Sequence, residues 1–279
     1  MNNDDIIDYY NDCKKDYKLV WRLNKTWGMH YGYFEKGDFR LSKAISKMND
    51  QILKYTKITK DSVVLDAGCG YCGTAMQIAA STKCKIEAVT IVEEQVKTAR
   101  QVIKSRGLDN NINVTMQDYT KTEFKDNTFD VIYGIESICY ANKKEFLIEA
   151  HRLLKKNGTL IMLDGFNSKD DYTESEQKIM KEWNNGWAVN SLETGDFFIN
   201  TSNDLGFTNQ NYIDITKYAY KTSKKMYTYS YPAFVVDFFG RLFKTRTKFN
   251  KGNVRAARYQ YIGMKHGLWQ YGIFTAVKK

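Results

Sequence analysis

The sequence predicts an α/β fold in which helices cover both faces of a mostly parallel sheet. Between residues 57 and 166, short apolar segments alternate with longer amphipathic ones, as expected for buried strands joined by crossover helices. The chain has 279 residues, of which 43% are hydrophobic, enough for one large core. We therefore expect a single domain with an N-terminal helical cap at 1–56, a core at 57–166, and lid helices with closing strands at 167–279.

The individual elements follow from periodicity and from turn residues. Helices are predicted at 4–24, at 42–56 with Ser42 as the N-cap, at 73–82, 93–107, 143–158, 172–187 and 196–206, and in part of the aromatic stretch 218–243. Strands are predicted at 62–68, 85–91, 112–118, 129–137, 158–166, 209–216 and 270–279, the last two as an antiparallel pair at the sheet edge. The glycine-rich segment 27–38 is predicted to be a loop.

Charge and cysteine content limit the classes of partner. The net charge is +10, which favours contact with something anionic, although a codon usage rich in lysine and asparagine would give the same value. The lysines are spread along the chain, so we expect no specific nucleic acid partner. Contact with an anionic membrane and a homodimer both stay open.

The five cysteines show no framework spacing and predict reduced thiols in a cytoplasmic protein. Cys69 and Cys72 lie inside a glycine loop with no histidine nearby, so we expect no metal site. No stretch has the length of a membrane span, and the acidic, polar first residues do not resemble a secretory signal.

The stretch VLDAGCGYCG, which ends at Gly73, carries the first chemical signal. Its glycines Gly68, Gly70 and Gly73 follow a strand and open a helix, and this spacing is typical of a nucleotide site because small residues let the backbone approach the ligand. Asp66 stands two residues before the first glycine, where a carboxylate would repel a pyrophosphate. The acid therefore favours a ligand with positive charge.

This loop resembles the first motif of class I S-adenosylmethionine-dependent methyltransferases, whose cofactor carries a sulfonium and an ammonium group. Three further segments resemble motifs of that family in the same order, at 116–134, 153–164 and 271–279. The resemblance implies a Rossmann-like fold with a seven-stranded, mostly parallel sheet and one antiparallel edge strand. It implies S-adenosylmethionine as the cofactor, with Asp118 and Tyr119 beside the adenine. The alternatives are that Asp66 only caps the loop's amides and that Asp118 is a surface turn residue.

The end of the second strand departs from the common pattern of that family. The usual acidic residue for the ribose is replaced by Thr90, followed by Ile91, and Gln95 comes five residues after the threonine. This arrangement resembles cyclopropane fatty acid synthases, tocopherol methyltransferases and sterol methyltransferases, which act mostly on lipids, isoprenoids or other hydrophobic small molecules. The resemblance implies that Thr90 and Gln95 hold the ribose by neutral hydrogen bonds. A solvated Gln95 is the alternative.

Candidate catalytic residues come from two segments. The segment WGMHYGYF at 27–34 resembles the part of tocopherol and related methyltransferases that folds over the cofactor, so His30, Tyr31 and Tyr33 would face the sulfonium or the acceptor. Glu136 follows the fourth strand, where strand ends face the ligand crevice, and Tyr140 stands where several relatives carry histidine. The resemblance implies that Glu136 stabilises a carbocation or removes a proton. Cap packing of the aromatic side chains, and a Glu136 held by backbone amides or a cap tyrosine, are the alternatives.

Three functions are compatible with these patterns. The first is methyl transfer to carbon, nitrogen or oxygen of a small hydrophobic acceptor, favoured by Thr90 and by the aromatic lid at 218–243. The second is an RNA or protein methyltransferase, favoured by the positive charge alone. The third is a non-catalytic protein that binds S-adenosylmethionine, which the intact glycine loop argues against.

Overall fold

A single sheet organises the molecule in the computed structural model, which describes residues 2–243 and 245–279. Its strands are β1 (Val63–Ala67), β2 (Lys85–Thr90), β3 (Ile112–Met116), β4 (Phe129–Ile135), β5 (Leu154–Asn167), β6 (Phe207–Asp214) and β7 (Trp269–Lys278). Their order across the seven-stranded sheet is β3-β2-β1-β4-β5-β7-β6. Neighbours from β3 to β5 pair in parallel, and β7 is antiparallel to both β5 and β6. The predicted fold class is confirmed, with the antiparallel strand second from the edge.

Helices lie on both faces of this sheet. They are α1 (Asn3–Val20), α2 (Leu23–Thr26), α3 (Leu41–Tyr55), α4 (Gly73–Thr82), α5 (Glu93–Ser105), α6 (Lys143–Leu153), α7 (Glu174–Gly186), α8 (Gly195–Asp204), α9 (Thr216–Leu242) and α10 (Lys248–Lys265). Successive strand residues point to opposite faces, so Val64 belongs to one buried apolar cluster and Leu65 to another. Both faces of the sheet are therefore covered, as the continuous apolar strands predict.

Several predicted boundaries are wrong for identifiable reasons. Arg40, not Ser42, is the N-cap of α3, and no side chain caps this helix. Helix α6 ends at Leu153, because residues from Leu154 onward already join β5. The aromatic stretch forms one continuous helix, α9, rather than a helix in part.

Helix α10 is missing from the sequence prediction. It contains Gly252, which contacts Gly186 of α7, and a Cβ atom on Gly186 would lie 2.4 Å from the Gly252 carbonyl oxygen. These glycines allow two helices to approach closely. In the sequence, glycines inside a polar stretch suggest breaks in a helix rather than a helix contact.

The N-terminal cap, residues 2–56, packs directly on the glycine loop. A Cβ atom on Gly73 would lie 2.5 Å from the Thr26 carbonyl oxygen and 2.7 Å from the Gly28 nitrogen. Glycine is therefore required at the first residue of α4 because the cap backbone occupies the space of a side chain. No helix within residues 2–243 and 245–279 is long and apolar enough to cross a membrane.

The close contact at Gly73 can be tested by Gly73→Ala. We expect the free energy of unfolding to fall by about 1–3 kcal/mol, because the added methyl group forces the cap away from α4. Chemical denaturation measures this change. Gly165→Ala is the matched control, since its nearest neighbours would lie 3.5 Å away or more. A Gly73→Ala protein as stable as the wild type would show that the cap does not press on the loop.

Candidate active site

A cavity of about 270 Å³ opens at the carboxyl ends of β1, β2 and β4. We call it the cofactor cavity. Its lining includes every residue predicted to bind the cofactor, namely Asp66, Gly68, Gly70, Gly73, Thr90, Ile91, Gln95, Asp118 and Tyr119. Strand ends at a switch in sheet order form such crevices, which explains why residues from three separate segments meet here.

The glycine loop turns tightly at the floor of the cofactor cavity. Gly68 and Gly70 have φ of +89° and +52°, values that favour glycine. The Gly68 and Cys69 amides donate to the Val89 carbonyl oxygen at 3.1 and 2.9 Å, which ties the loop to β2. Cys72, the N-cap of α4, provides no side-chain hydrogen bond to the helix start. The first amides of α4 are therefore not capped by this side chain and are available to a ligand.

Asp66 is buried beside this loop. The Tyr133 hydroxyl donates to Asp66 Oδ2 at 2.7 Å, so its observed partner is a side chain of β4. Burial raises the pKa of Asp66 to about 7, and the hydrogen bond from Tyr133 opposes the rise. A cationic ligand in the cavity would favour the ionised carboxylate. This arrangement suits a positively charged ligand such as S-adenosylmethionine.

Thr90 and Gln95 form a buried pair on the opposite wall. Thr90 Oγ1 donates to Gln95 Oε1 at 2.7 Å. Only 3% of Gln95 is exposed, so it is not a solvated helix residue. Because the amide oxygen already accepts from Thr90, the Gln95 NH₂ group is the end that can donate to a ligand hydroxyl.

Asp118 is held by both the core and the cap. Its Oδ1 atom accepts from the Thr120 amide at 2.8 Å, and its Oδ2 atom accepts from Asn3 Nδ2 at 2.9 Å. Burial acts to raise the pKa of Asp118, but the hydrogen bonds from Thr120 and Asn3 outweigh it and lower the pKa. The neighbouring Tyr119 hydroxyl donates to the Ser137 carbonyl oxygen at 2.5 Å. Asp118 is thus a fixed, ionised acceptor at the cavity rim.

A second cavity of about 500 Å³ adjoins the first. We call it the acceptor cavity. Its walls are mainly apolar and include four tryptophans, Trp21, Trp183, Trp187 and Trp269. Four residues line both cavities and so form the boundary between them: Tyr10, Met29, Glu136 and Tyr140.

Glu136 is the ionisable group at this boundary. Its Oε1 atom accepts from the Tyr31 amide at 2.5 Å and from the Tyr271 hydroxyl at 2.7 Å. Its φ of +49° is in the left-handed region, a strained conformation that directs the side chain away from the strand. Burial raises the pKa of Glu136 to about 8; the two hydrogen bonds act to lower it and nearby Asp164 to raise it. The backbone amide belongs to the cap, whereas the tyrosine comes from β7 and not from the cap, as the alternative for Glu136 had it.

The other predicted catalytic residues separate into two groups. Tyr140 lies at the boundary and accepts a hydrogen bond from the Tyr10 hydroxyl at 3.0 Å. His30 lines the cofactor cavity, its Nδ1 atom lies 2.9 Å from the Tyr31 carbonyl oxygen, and burial lowers its pKa to about 4. Tyr33 lines neither cavity and stacks on Tyr218 at 4.0 Å between ring centroids. The structure therefore places Tyr33 in cap packing.

Sequence reasoning missed three contributors to the site. Asn3 and Tyr10 come from α1, and Tyr271 comes from β7, far along the chain from Glu136. In the sequence, Tyr10 forms part of an ordinary amphipathic stripe. No local signal distinguishes a tyrosine that packs from one that reaches a site through tertiary contacts.

The doubly covered sheet, with an acid and a glycine loop at the end of its first strand, has the architecture of class I methyltransferases. Residues 2–193 match the family described as mycolic acid cyclopropane synthetase. The chain belongs to this family.

Proteins with similar sequences are named for different methyl acceptors. The chain is 28% identical over 208 residues to the sterol 24-C-methyltransferase of Kluyveromyces lactis, covering 74% of this chain and 55% of that protein. It is 26% identical over 212 residues to the sarcosine/dimethylglycine N-methyltransferase of Halorhodospira halochloris, covering 75% and 74% of the two chains. The chain spans about half the length of the sterol methyltransferases that it matches.

A solved structure shares the complete fold. The cyclopropane synthase MmaA2 from Mycobacterium tuberculosis superposes with a TM-score of 0.82 over 99% of both chains, at 15% sequence identity. At this identity the likeness establishes the architecture. It includes the N-terminal cap and the lid helices as well as the core.

The raised pKa of Glu136 predicts a pH-dependent stability. Its ordinary pKa is 4.5 and its folded pKa is about 8, so between these values the folded protein binds the proton more tightly than the unfolded chain. Stability must therefore fall as pH rises through this window. Glu136→Gln keeps the hydrogen-bond acceptor but does not titrate. Between pH 5 and pH 8 we expect the free energy of unfolding to fall in both proteins, but in Glu136→Gln the fall should be smaller than in the wild type by on the order of 1–2 kcal/mol.

Denaturation at both pH values measures this difference. Glu123→Gln, at an exposed site, is the control and should follow the wild type. Equal pH profiles for wild type and Glu136→Gln would contradict the burial of an ionisable Glu136.

Proposed function

We propose that the protein transfers the methyl group of S-adenosylmethionine to a small hydrophobic acceptor, at carbon, nitrogen or oxygen. The observation that carries this proposal is the pair of adjoining cavities. One contains all the predicted cofactor residues, the other is apolar, and they meet at Glu136 and Tyr140.

Each wall of the cofactor cavity suits one part of the donor. Asp66 would balance its positive charge, Thr90 and Gln95 would bind the ribose hydroxyls, and Asp118 would accept from the adenine amino group. When bound, S-adenosylmethionine would supply an activated methyl group on sulfur. The protein's contribution is then alignment of the acceptor and exclusion of water, which the cap residues Tyr10 and Met29 favour by closing the boundary.

Glu136 has two roles that its environment permits. With a pKa of about 8 it holds a proton at neutral pH, and positive charge in either cavity would lower that pKa and favour the carboxylate. The carboxylate would stabilise a cationic acceptor or accept its proton. The Tyr140 hydroxyl lies at the same boundary, and neutral His30 would contact the cofactor from the cap side.

The acceptor cavity favours a hydrophobic acceptor over a polar one. The relatives include an enzyme named for sterols and one named for sarcosine and dimethylglycine. Tryptophan walls bury apolar surface effectively, and a small zwitterion would leave them unfilled. The mainly apolar lining also argues against an RNA or protein acceptor.

Two further proposals concern the cellular location and the oligomeric state. We propose a cytoplasmic location because Cys13, Cys69, Cys72, Cys84 and Cys139 are all free. A homodimer is compatible with the chain, and the solution mass measures it directly.

The role of Asp66 is tested by binding rather than by turnover. We expect Asp66→Ala to lose measurable binding of S-adenosylhomocysteine in calorimetric titration, because the carboxylate lines the cofactor cavity and would pair with the ammonium group of the ligand. Asp130→Ala is the control, since Asp130 lies at the opposite end of the sheet, where it accepts from the Val63 amide at 2.8 Å. An Asp66→Ala protein that binds normally would refute the assignment of the loop.

The acceptor and the role of Glu136 are tested together. Purified protein is incubated with S-adenosylmethionine labelled in the methyl group and with a lipid and metabolite extract, and mass spectrometry identifies the labelled product. We expect the labelled product to be apolar. We expect Glu136→Gln to bind S-adenosylhomocysteine with normal affinity, while its turnover number falls by at least about tenfold. A product found only in the polar fraction would contradict the proposed substrate class. Unchanged turnover in Glu136→Gln would contradict the role of Glu136.

A further inference from the structure

The second half of α9 presents apolar side chains to solvent and polar ones to the protein. Ser230 and Asp237 are each 1% exposed. Six apolar residues of α9, and Phe243 directly after it, are each more than half exposed, and we call these seven the α9 apolar face: Phe234, Val235, Val236, Phe238, Phe239, Leu242 and Phe243. Leaving so much contiguous apolar surface in water is unfavourable, and patches of this kind mark contact sites.

Ion pairs hold the helix in this orientation. Arg246 lies 3.2 Å from Asp237 and 2.6 Å from Asp16 of α1, between the two carboxylates. Turning the phenylalanines inward would bring Asp237 out of this network and leave Arg246 with one partner fewer. The outward apolar face is thus specified by the polar contacts beneath it.

The α9 apolar face is continuous with the acceptor cavity. Val236 and Tyr229 belong to the exposed surface of α9 and also line that cavity, as does Leu19 of α1, which is 80% exposed. Apolar side chains therefore extend from this face into the lining of the acceptor cavity.

Positive charge borders the same face. A groove of about 340 Å³ between α9 and α10 is lined by Phe234 and Asp237 together with Lys251, Arg255 and Arg258. We call it the basic groove. Arg255 pairs with Glu182, which leaves Lys251 and Arg258 as the cations that face a partner. Arg258 lies 5.2 Å from the centre of the Tyr231 ring, which holds one cation at the edge of the apolar residues. Apolar side chains flanked by cations complement the acyl region and the phosphates of an anionic bilayer.

We propose that the α9 apolar face and the basic groove dock on the surface of an anionic phospholipid bilayer. The apolar side chains lie among the acyl chains, and Lys251 and Arg258 lie at the phosphates. A protein docked in this way could exchange its acceptor between the bilayer and the acceptor cavity. This exchange rests on the proposed function, whereas the docking itself does not.

Flotation with lipid vesicles tests the apolar contact. The full chain is mixed with vesicles of phosphatidylcholine, or of phosphatidylcholine with phosphatidylglycerol. We expect strong binding to the anionic vesicles and at least about tenfold weaker binding by the double variant Phe238→Glu, Phe239→Glu. Phe39→Glu is the matched control, because Phe39 is 81% exposed but lies beside Lys221, some 25 Å along α9 from Phe238. The proposal is overturned if the wild type ignores anionic vesicles or if the double variant binds as Phe39→Glu does.

A second pair of variants tests the contribution of the basic groove to vesicle binding. We expect the double variant Lys251→Gln, Arg258→Gln to lose most of the preference for phosphatidylglycerol, while Lys57→Gln, Lys60→Gln keeps it. Equal loss in both pairs would show that overall charge, not the basic groove, directs binding.

Two measurements separate the remaining outcomes. Light scattering without lipid reports the mass of the protein in solution. If the wild type is a dimer and the variant Phe238→Glu, Phe239→Glu is a monomer, the α9 apolar face binds a second copy of the chain, and the proposal is overturned. Titration with S-adenosylhomocysteine should give the same affinity for wild type and this variant, which shows an intact fold. Failure of the wild type to bind that ligand would refute the proposed function and leave the vesicle result standing.

Discussion

The hydrogen bonds to one oxygen of Glu136 connect the three parts of the chain. The side chain belongs to the end of β4, one donor is the Tyr31 amide of the cap, and the other is the Tyr271 hydroxyl of β7. A carboxyl group at such a site is costly to ionise, and its pKa of about 8 reflects that cost. These hydrogen bonds therefore hold the cap against the sheet and order the boundary between the two cavities. They also keep at this boundary a carboxyl group whose ionisation depends on nearby positive charge.

The cap is as much a part of the cofactor cavity as the sheet is. Asn3 donates to Asp118, Lys14 pairs with Glu94 at the start of α5, and the backbone at Thr26 lies against Gly73. These contacts hold cap residues against the cavity that a nucleoside would occupy. Ligand binding and cap closure are consequently linked, because each contact between cap and core contributes to enclosing the ligand.

The core was predictable from the sequence because its signals are local. Buried strands, the glycine spacing around Gly68 and the acid at Asp66 lie within one continuous stretch, and each constrains the backbone beside it. The cap and lid were less predictable. Tyr31 and Tyr33 are equivalent in the sequence, yet only Tyr31 reaches Glu136, and Gly252 supports a helix contact that no local pattern reveals. Such outcomes depend on partners far away in the chain.

The surroundings of the acceptor cavity bear on the kind of molecule that the protein acts on. A water-soluble amine needs a polar route to the site and gains nothing from exposed phenylalanines around the opening. Here the cavity has tryptophan walls, and its rim continues into apolar residues of α9 that are held outward by the pairing of Arg246 with Asp237. Maintaining that exposed surface costs free energy in water, and contact with an apolar phase would recover it. The acceptor proposed above, one that partitions into lipid, would account for both the walls and the rim.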